Sequence, residues 1–173
     1  MPSERFVEAL NEQITREFAA AHQYVAIGAY YDSETFPQLA RFFFDQGEEE
    51  RGHAMKMVNY LLEQGAPMRL GDVPAPQGHF DDHVAPIRLA LEQERRVTVE
   101  IGNLFEVARE TRDSASEIFM HWFVEEQVEE EAAMESLLAV AERVRELPMM
   151  LEEFIARDGG QLGRARGPSA AQG

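Results

Sequence analysis

The sequence predicts an all-α chain: a four-helix bundle with one long crossover and a short fifth helix near the C-terminal end. Three observations predict it. Four long stretches carry apolar residues in alternating steps of three and four, the spacing of a single helical face. Cap and breaker residues bound each stretch. The connections between stretches run short, long, short, which fixes the order in which neighbours reverse direction.

Ser3 can cap the first helix, which runs to about Tyr31 before the break Asp32-Ser33-Glu34-Thr35-Phe36-Pro37. Pro37 suits the first turn of the second helix, which runs to about Gln64 and stops at Gly65-Ala66-Pro67. From about 66 to 82 the chain holds Pro67, Gly71, Pro74, Pro76 and Gly78 and reads as a connection. Asp81 or Asp82 can cap the third helix, with Pro86 tolerated in its first turn and an end near Arg112. Asp113 or Ser114 caps the fourth, which Pro148 terminates. A short apolar segment, Met149 to Ala156, forms the fifth helix. The first 157 residues make one domain, and the Gly-, Ala- and Arg-rich tail from Asp158 is expected to lack structure.

The long connection sets the topology. Roughly 17 extended residues span roughly 50 Å, while a helix of about 28 residues is roughly 42 Å long. The connection can therefore traverse the bundle and leave the second and third helices parallel.

Traced in those steps, the first seam reads Leu10, Ile14, Glu17, Ala21, Tyr24, Gly28. The second reads Leu39, Phe43, Gln46, Glu50, His53, Met57, Tyr60, and the third Ile87, Ala90, Glu94, Val97, Ile101, Leu104, Ala108. The fourth is Met120, Phe123, Gln127, Glu130, Met134, Leu137, Ala141, Val144. Each is apolar towards its ends and polar near its middle, so the interruptions should meet at one height. Burying a carboxylate costs several kcal/mol unless it is paired or binds a cation. Glu17, Glu50, Glu94 and Glu130 face only His53 as a counter-charge, so cations must come from outside. A Glu from each of two helices with Glu-x-x-His facing them is the pattern of di-iron and di-manganese bundles. Mixed oxygen and imidazole ligands suit Fe or Mn better than Ca or Mg.

Composition narrows the classes. The chain has no cysteine, which excludes disulfides, thiolate metal sites and thiol catalysis. Its net charge of −16, from 32 acidic and 16 basic residues without a basic cluster, argues against nucleic acid as partner. Such a surface concentrates cations. Neither a signal peptide nor a run of 18 or more apolar residues is legible, so no membrane is expected and the cytoplasm is the expected location.

At these residues the chain resembles the bacterial non-haem ferritins, over residues from about 4 to 157. The resemblance implies a ferritin-like fold that oxidises Fe(II) with O2 or H2O2 and stores the ferric product. It implies an A site at Glu17, Glu50 and His53, and a B site at Glu50 (the bridge), Glu94 and Gln127. A third, outer iron site resembles Glu49, Glu126, Glu129 and Glu130, and Tyr24 matches the tyrosine beside the di-iron centre. The family assembles as hollow shells of twenty-four copies, with the fifth helix near a four-fold axis. That implies a homo-oligomer whose charge is on the order of −380. Asp45, Glu48 and Glu49 are candidates for its acidic inner surface, and Glu117 and His121 for three-fold pores.

Departures from neighbouring families sharpen the reading. Bacterioferritins and rubrerythrins carry a second Glu-x-x-His on the last helix, where this chain reads Gln127-Val128-Glu129-Glu130. The bacterioferritin haem is held by a methionine on the second helix; Gly52 stands there, so haem is not expected. Miniferritins lack the fifth helix. The competing readings are a rubrerythrin-like di-iron peroxidase or oxidase without storage, and a bundle whose polar midplane serves packing alone.

Overall fold

A computed structural model of the chain describes residues 1–162. Its helices are α1 (Glu4–Ser33), α2 (Pro37–Glu63), α3 (Ala85–Glu110), α4 (Ser114–Arg143) and α5 (Pro148–Asp158), and no strand occurs among the described residues.

Local chemistry explains where the helices begin. Ser3 caps α1, its Oγ accepting from the Phe6 N–H at 3.2 Å. Asp113, rather than Ser114, caps α4 by accepting from the Ser116 N–H at 3.1 Å, and its other oxygen accepts from the Ser3 N–H at 3.3 Å. One carboxylate thus ties two helix N-termini together. For α3 the cap is Asp82, which accepts from the N–H groups of Val84 and Ala85 at 2.9 and 2.8 Å. Gly65 ends α2 at φ +64°, a conformation that costs a glycine nothing.

Two expectations change. Pro148 does not terminate the fourth helix: α4 stops at Arg143, and Pro148 is the first residue of α5. Proline has no N–H to lose there, so it opens a helix without cost. Where the tail was expected to lose structure, Gly159–Gln161 form a 3-10 turn. The remainder of that tail, from residue 163, lies outside the described residues.

The crossover runs along α1. Asn11 donates to the Pro67 carbonyl and accepts from the Arg69 N–H, and Thr15 accepts from the Gly71 N–H. Further on, Gln23 exchanges hydrogen bonds with the Gln77 backbone, and Tyr31 donates to the His83 carbonyl at 2.6 Å. The start of α3 therefore lies at the end of α1, and Arg5 reaches Glu110 at the opposite end of α3. Helix α3 runs opposite to α1 and parallel to α2, as the length of the connection predicts.

The core has two parts. One cluster holds Phe6, Leu10, Ile14, Met57, Leu61, Val97, Ile101 and Phe123. The other holds Tyr24, Tyr31, Phe43, Ile87, Ala90, Met134 and Leu137, with Leu151 and Ile155 of α5. Between them lies a belt of buried polar residues: Gln13, Glu17, Glu50, His53, Gln93, Glu94 and Gln127. No helix among the described residues is long and apolar enough to cross a membrane.

Candidate metal centre

The belt falls at mid-height because each seam breaks its apolar pattern near its middle. Glu50 and His53 share one face of α2 through their i, i+3 spacing. From α1 comes Glu17, from α3 Glu94, and from α4 Gln127 and Glu130. Their ligand atoms form overlapping groups, each within 4.8 Å: Glu17 with Glu50 and His53, Glu50 with Glu94 and Glu130, and His53 with Glu126 and Glu130. Glu50 belongs to the first two groups.

The hydrogen bonds show which atoms are left for a ligand. Glu17 accepts from the Gln13 amide at 2.8 Å through Oε1. Its Oε2 is buried without a partner, and so is Glu130 Oε2. The Nδ1 of His53 lies 3.3 Å from Glu50, and its Nε2 lies 3.8 Å from Glu130. Edge contacts with Trp122 and Phe123 hold the imidazole in place. Among the described residues, the ion pairs of these buried carboxylates come from His53 alone.

Without cations this arrangement is electrostatically costly, and the acidities record it. Burial raises Glu50 well above the ordinary carboxylate range, and Glu17, Glu94 and Glu130 raise it further. Glu130 is raised for the same reasons, burial first and then Glu94 and Glu17. Glu94 is pushed up to about 7 by burial, against hydrogen bonds from Tyr24 and Gln127 that favour its charged form. Burial lowers His53 while nearby Glu17 and Glu126 oppose that shift. Tyr24 donates to Glu94 and is itself raised well above its ordinary value, so the phenol keeps its proton.

The donor set fits divalent iron. Buried unpartnered carboxylate oxygens beside an imidazole and a further carboxylate are what a cation bound by oxygen and nitrogen needs. A protein cation would have left one of these oxygens paired.

Gln127 and Glu130 both turn towards Glu94. The Gln127 amide N–H donates to Glu94 Oε2 at 2.7 Å and to the Glu94 carbonyl at 3.1 Å, so this amide orients a carboxylate. Glu130 groups with Glu50 and Glu94 on one side and with His53 and Glu126 on the other. The outer residues Glu49, Glu126 and Glu129 do converge, lining with Glu130 an open pocket of about 510 Å³. Asp45 and Gln46 line it too, and Gln46 donates to Glu49 at 2.7 Å. Of the other candidates, Glu48 is exposed, and His121 pairs with Glu125 at 3.5 Å on the surface of α4. Gly52 is exposed on α2, and a side chain there would meet nothing within 4 Å.

Sequence reasoning passed over Gln13 and Glu152. Gln13 is fully buried, and the signal for it was its place four residues before Glu17 on the same face. Glu152 of α5 accepts from the N–H groups of Gln38 and Leu39, both at 2.9 Å, and so caps α2, which has no cap of its own. No local pattern announces a cap from 114 residues away.

The chain matches the family model described as the ferritin-like domain over residues 7–144. It is 44% identical to ferritin BfrB of Mycobacterium tuberculosis over 173 residues, covering 99% of this chain and 96% of that protein. It is 40% identical to a bacterial non-heme ferritin of Staphylococcus aureus over 144 residues, 83% of this chain and 87% of the relative. Among solved structures it is similar to an open pore ferritin from the archaeon Archaeoglobus fulgidus. That likeness has a TM-score of 0.86 and 32% identity, over 91% of this chain and 98% of the other. On a domain match running from the first turns of α1 to the end of α4, the chain belongs to the family of the ferritin-like domain.

Proposed function

We propose that this chain is the subunit of a cytoplasmic iron-storage shell with ferroxidase activity, with Fe(II) as its substrate. The observation that carries the reading is the pair of buried ligand groups sharing Glu50, with unpartnered oxygens at Glu17 and Glu130. Fe(II) is drawn to an acidic chain of net charge −16. Because burial keeps Glu50, Glu94 and Glu130 protonated above the ordinary carboxylate range, cation binding displaces protons from them. A pair of Fe(II) ions then surrenders an electron pair to dioxygen, which takes up protons and leaves as hydrogen peroxide. Peroxide can accept a further pair and leave as water.

Release of the product suits the ligand set. The amide of Gln127 adds no negative charge to hold Fe(III), and the carboxylates Glu49, Glu126 and Glu129 line, with Glu130, an open pocket. Ferric iron would pass through them to a ferric oxyhydroxide mineral. Exposed Val99, Ile118, Val128, Met149 and Met150 are apolar surface that further copies of the chain would cover.

Size-exclusion chromatography with light scattering, before and after aerobic Fe(II) loading, tests this reading. A particle of about twenty-four subunits that retains iron supports it. A monomer or a twelve-subunit particle would remove the storage shell, and turnover of Fe(II) without retained iron would favour a rubrerythrin-like oxidase.

A further inference from the structure

Gln13 is fully buried beside a carboxylate that the metal reading uses, and it needs an explanation of its own. Its amide lies between unlike neighbours. Nε2 donates to Glu17 Oε1 at 2.8 Å, and Oε1 faces Arg16 Nη1 at 3.5 Å. Arginine offers only donors and an ionised carboxylate only acceptors, so both neighbours dictate the same orientation of the amide. Arg16 is in turn held between Glu12 of α1, at 3.2 Å, and Glu100 of α3, at 3.5 Å. A line of contacts therefore runs from the half-exposed Arg16, through Gln13, to a carboxylate whose remaining oxygen is buried and unpartnered.

We propose that Gln13 is a positioning residue for Glu17, engaging Oε1 so that Oε2 alone is presented to the iron held with Glu50 and His53, with Arg16 fixing the sense of the Gln13 amide. The inference rests on the reading of Glu17 as an iron ligand. Without this donor the Glu17 carboxylate can rotate, and either oxygen can turn towards its acidic neighbours. A hydrogen bond that orients a ligating side chain sets metal affinity by about 10- to 100-fold. A residue that merely fills space would leave affinity alone.

The test is a Co(II) titration of the assembled, chelator-treated protein, read by visible absorption and calorimetry, in wild type, Glu17→Ala, Gln13→Met and Arg16→Ala. The step lost in Glu17→Ala marks the Glu17 site. Gln13→Met, which keeps length and removes the donor, should weaken that step about 10-fold or more and shift its Co(II) absorption, leaving the other step unchanged. Arg16→Ala should move the same step in the same direction by less. Gln13→Leu replaces Gln13→Met should the latter fail to assemble. If Glu17→Ala loses no step, the metal reading of Glu17 is wrong. If it loses one and the Gln13 variant keeps wild-type affinity and spectrum, the positioning role alone is overturned.

Discussion

Replacing Glu94 with glutamine should stabilise the metal-free protein at alkaline pH and hardly change its stability at mildly acid pH. Glu94 has no solvent exposure, and burial holds its carboxyl at about 7 against an ordinary 4.5. A carboxyl raised in the folded state favours folding when protonated. That contribution is complete below about 4.5 and is lost as pH rises through about 7, so above that the charge costs on the order of 3 kcal/mol. Glutamine carries no charge at any pH and escapes this cost. It keeps an acceptor for Tyr24, but Gln127 must turn its amide and give up the bond to the Glu94 carbonyl, a loss of about 1 kcal/mol. The net gain at about pH 8.5 is then about 2 kcal/mol, a rise in unfolding midpoint of roughly 4 to 8 °C. At about pH 5 the charge cost has fallen to roughly 1 kcal/mol and nearly cancels that loss, so the midpoint there should hardly move. Circular dichroism of chelator-treated protein, at one protein concentration and in enough guanidinium to bring the transition into range, reads both. A midpoint shift equal at the two pH values, or a variant destabilised more at pH 8.5 than at pH 5, would refute the claim that an uncompensated buried charge sits at Glu94.

Glu50→Ala should slow Fe(II) oxidation more than any other single ligand change, since Glu50 belongs to both buried groups, whereas His53→Ala should mainly weaken the group containing Glu17. Stopped-flow oxidation at the wild-type rate in Glu50→Ala would remove it from that role. Glu126→Ala and Glu130→Ala should slow later rounds of iron uptake and change the ratio of iron oxidised to oxygen consumed. An unchanged ratio and unchanged multi-turnover kinetics would leave the pocket beyond Glu130 without a part in transfer. Glu152→Ala uncaps α2 at a position where charge also favours the helix N-terminus, and should cost about 1 to 2 kcal/mol of stability, read as a lowered midpoint for the metal-free protein. Protein expressed with excess haem should show no Soret band after dialysis, because Gly52 has no side chain with which to hold a haem iron.

Helical periodicity made the seams legible, and it made the site legible too, because a carboxylate in an apolar row is visible at a spacing of three and four. Glu17, Glu50, His53 and Glu94 were found in that way, and the structure brings all of them to one belt. The direction of the crossover followed from its length. Its register on α1 did not, because Asn11, Thr15 and Gln23 bind its backbone, and backbone groups carry no side-chain signal. Pro148 was read as an end because proline breaks a helix that precedes it, although it opens the one that follows. The relative depth of Gln127 and Glu130 escaped for another reason. Three residues apart on α4, both face the core, and only the position of Glu94 decides that the Gln127 amide meets it.

The central claim is that the midplane of this bundle binds a pair of iron ions through Glu50. Crystals of the metal-free protein soaked anaerobically in Fe(II), with diffraction collected on both sides of the iron absorption edge, test it most directly. An anomalous peak is expected among Glu17, Glu50 and His53 and a second among Glu50, Glu94 and Glu130, both lost in Glu50→Ala. Peaks confined to exposed carboxylates, with none in the belt, would contradict it.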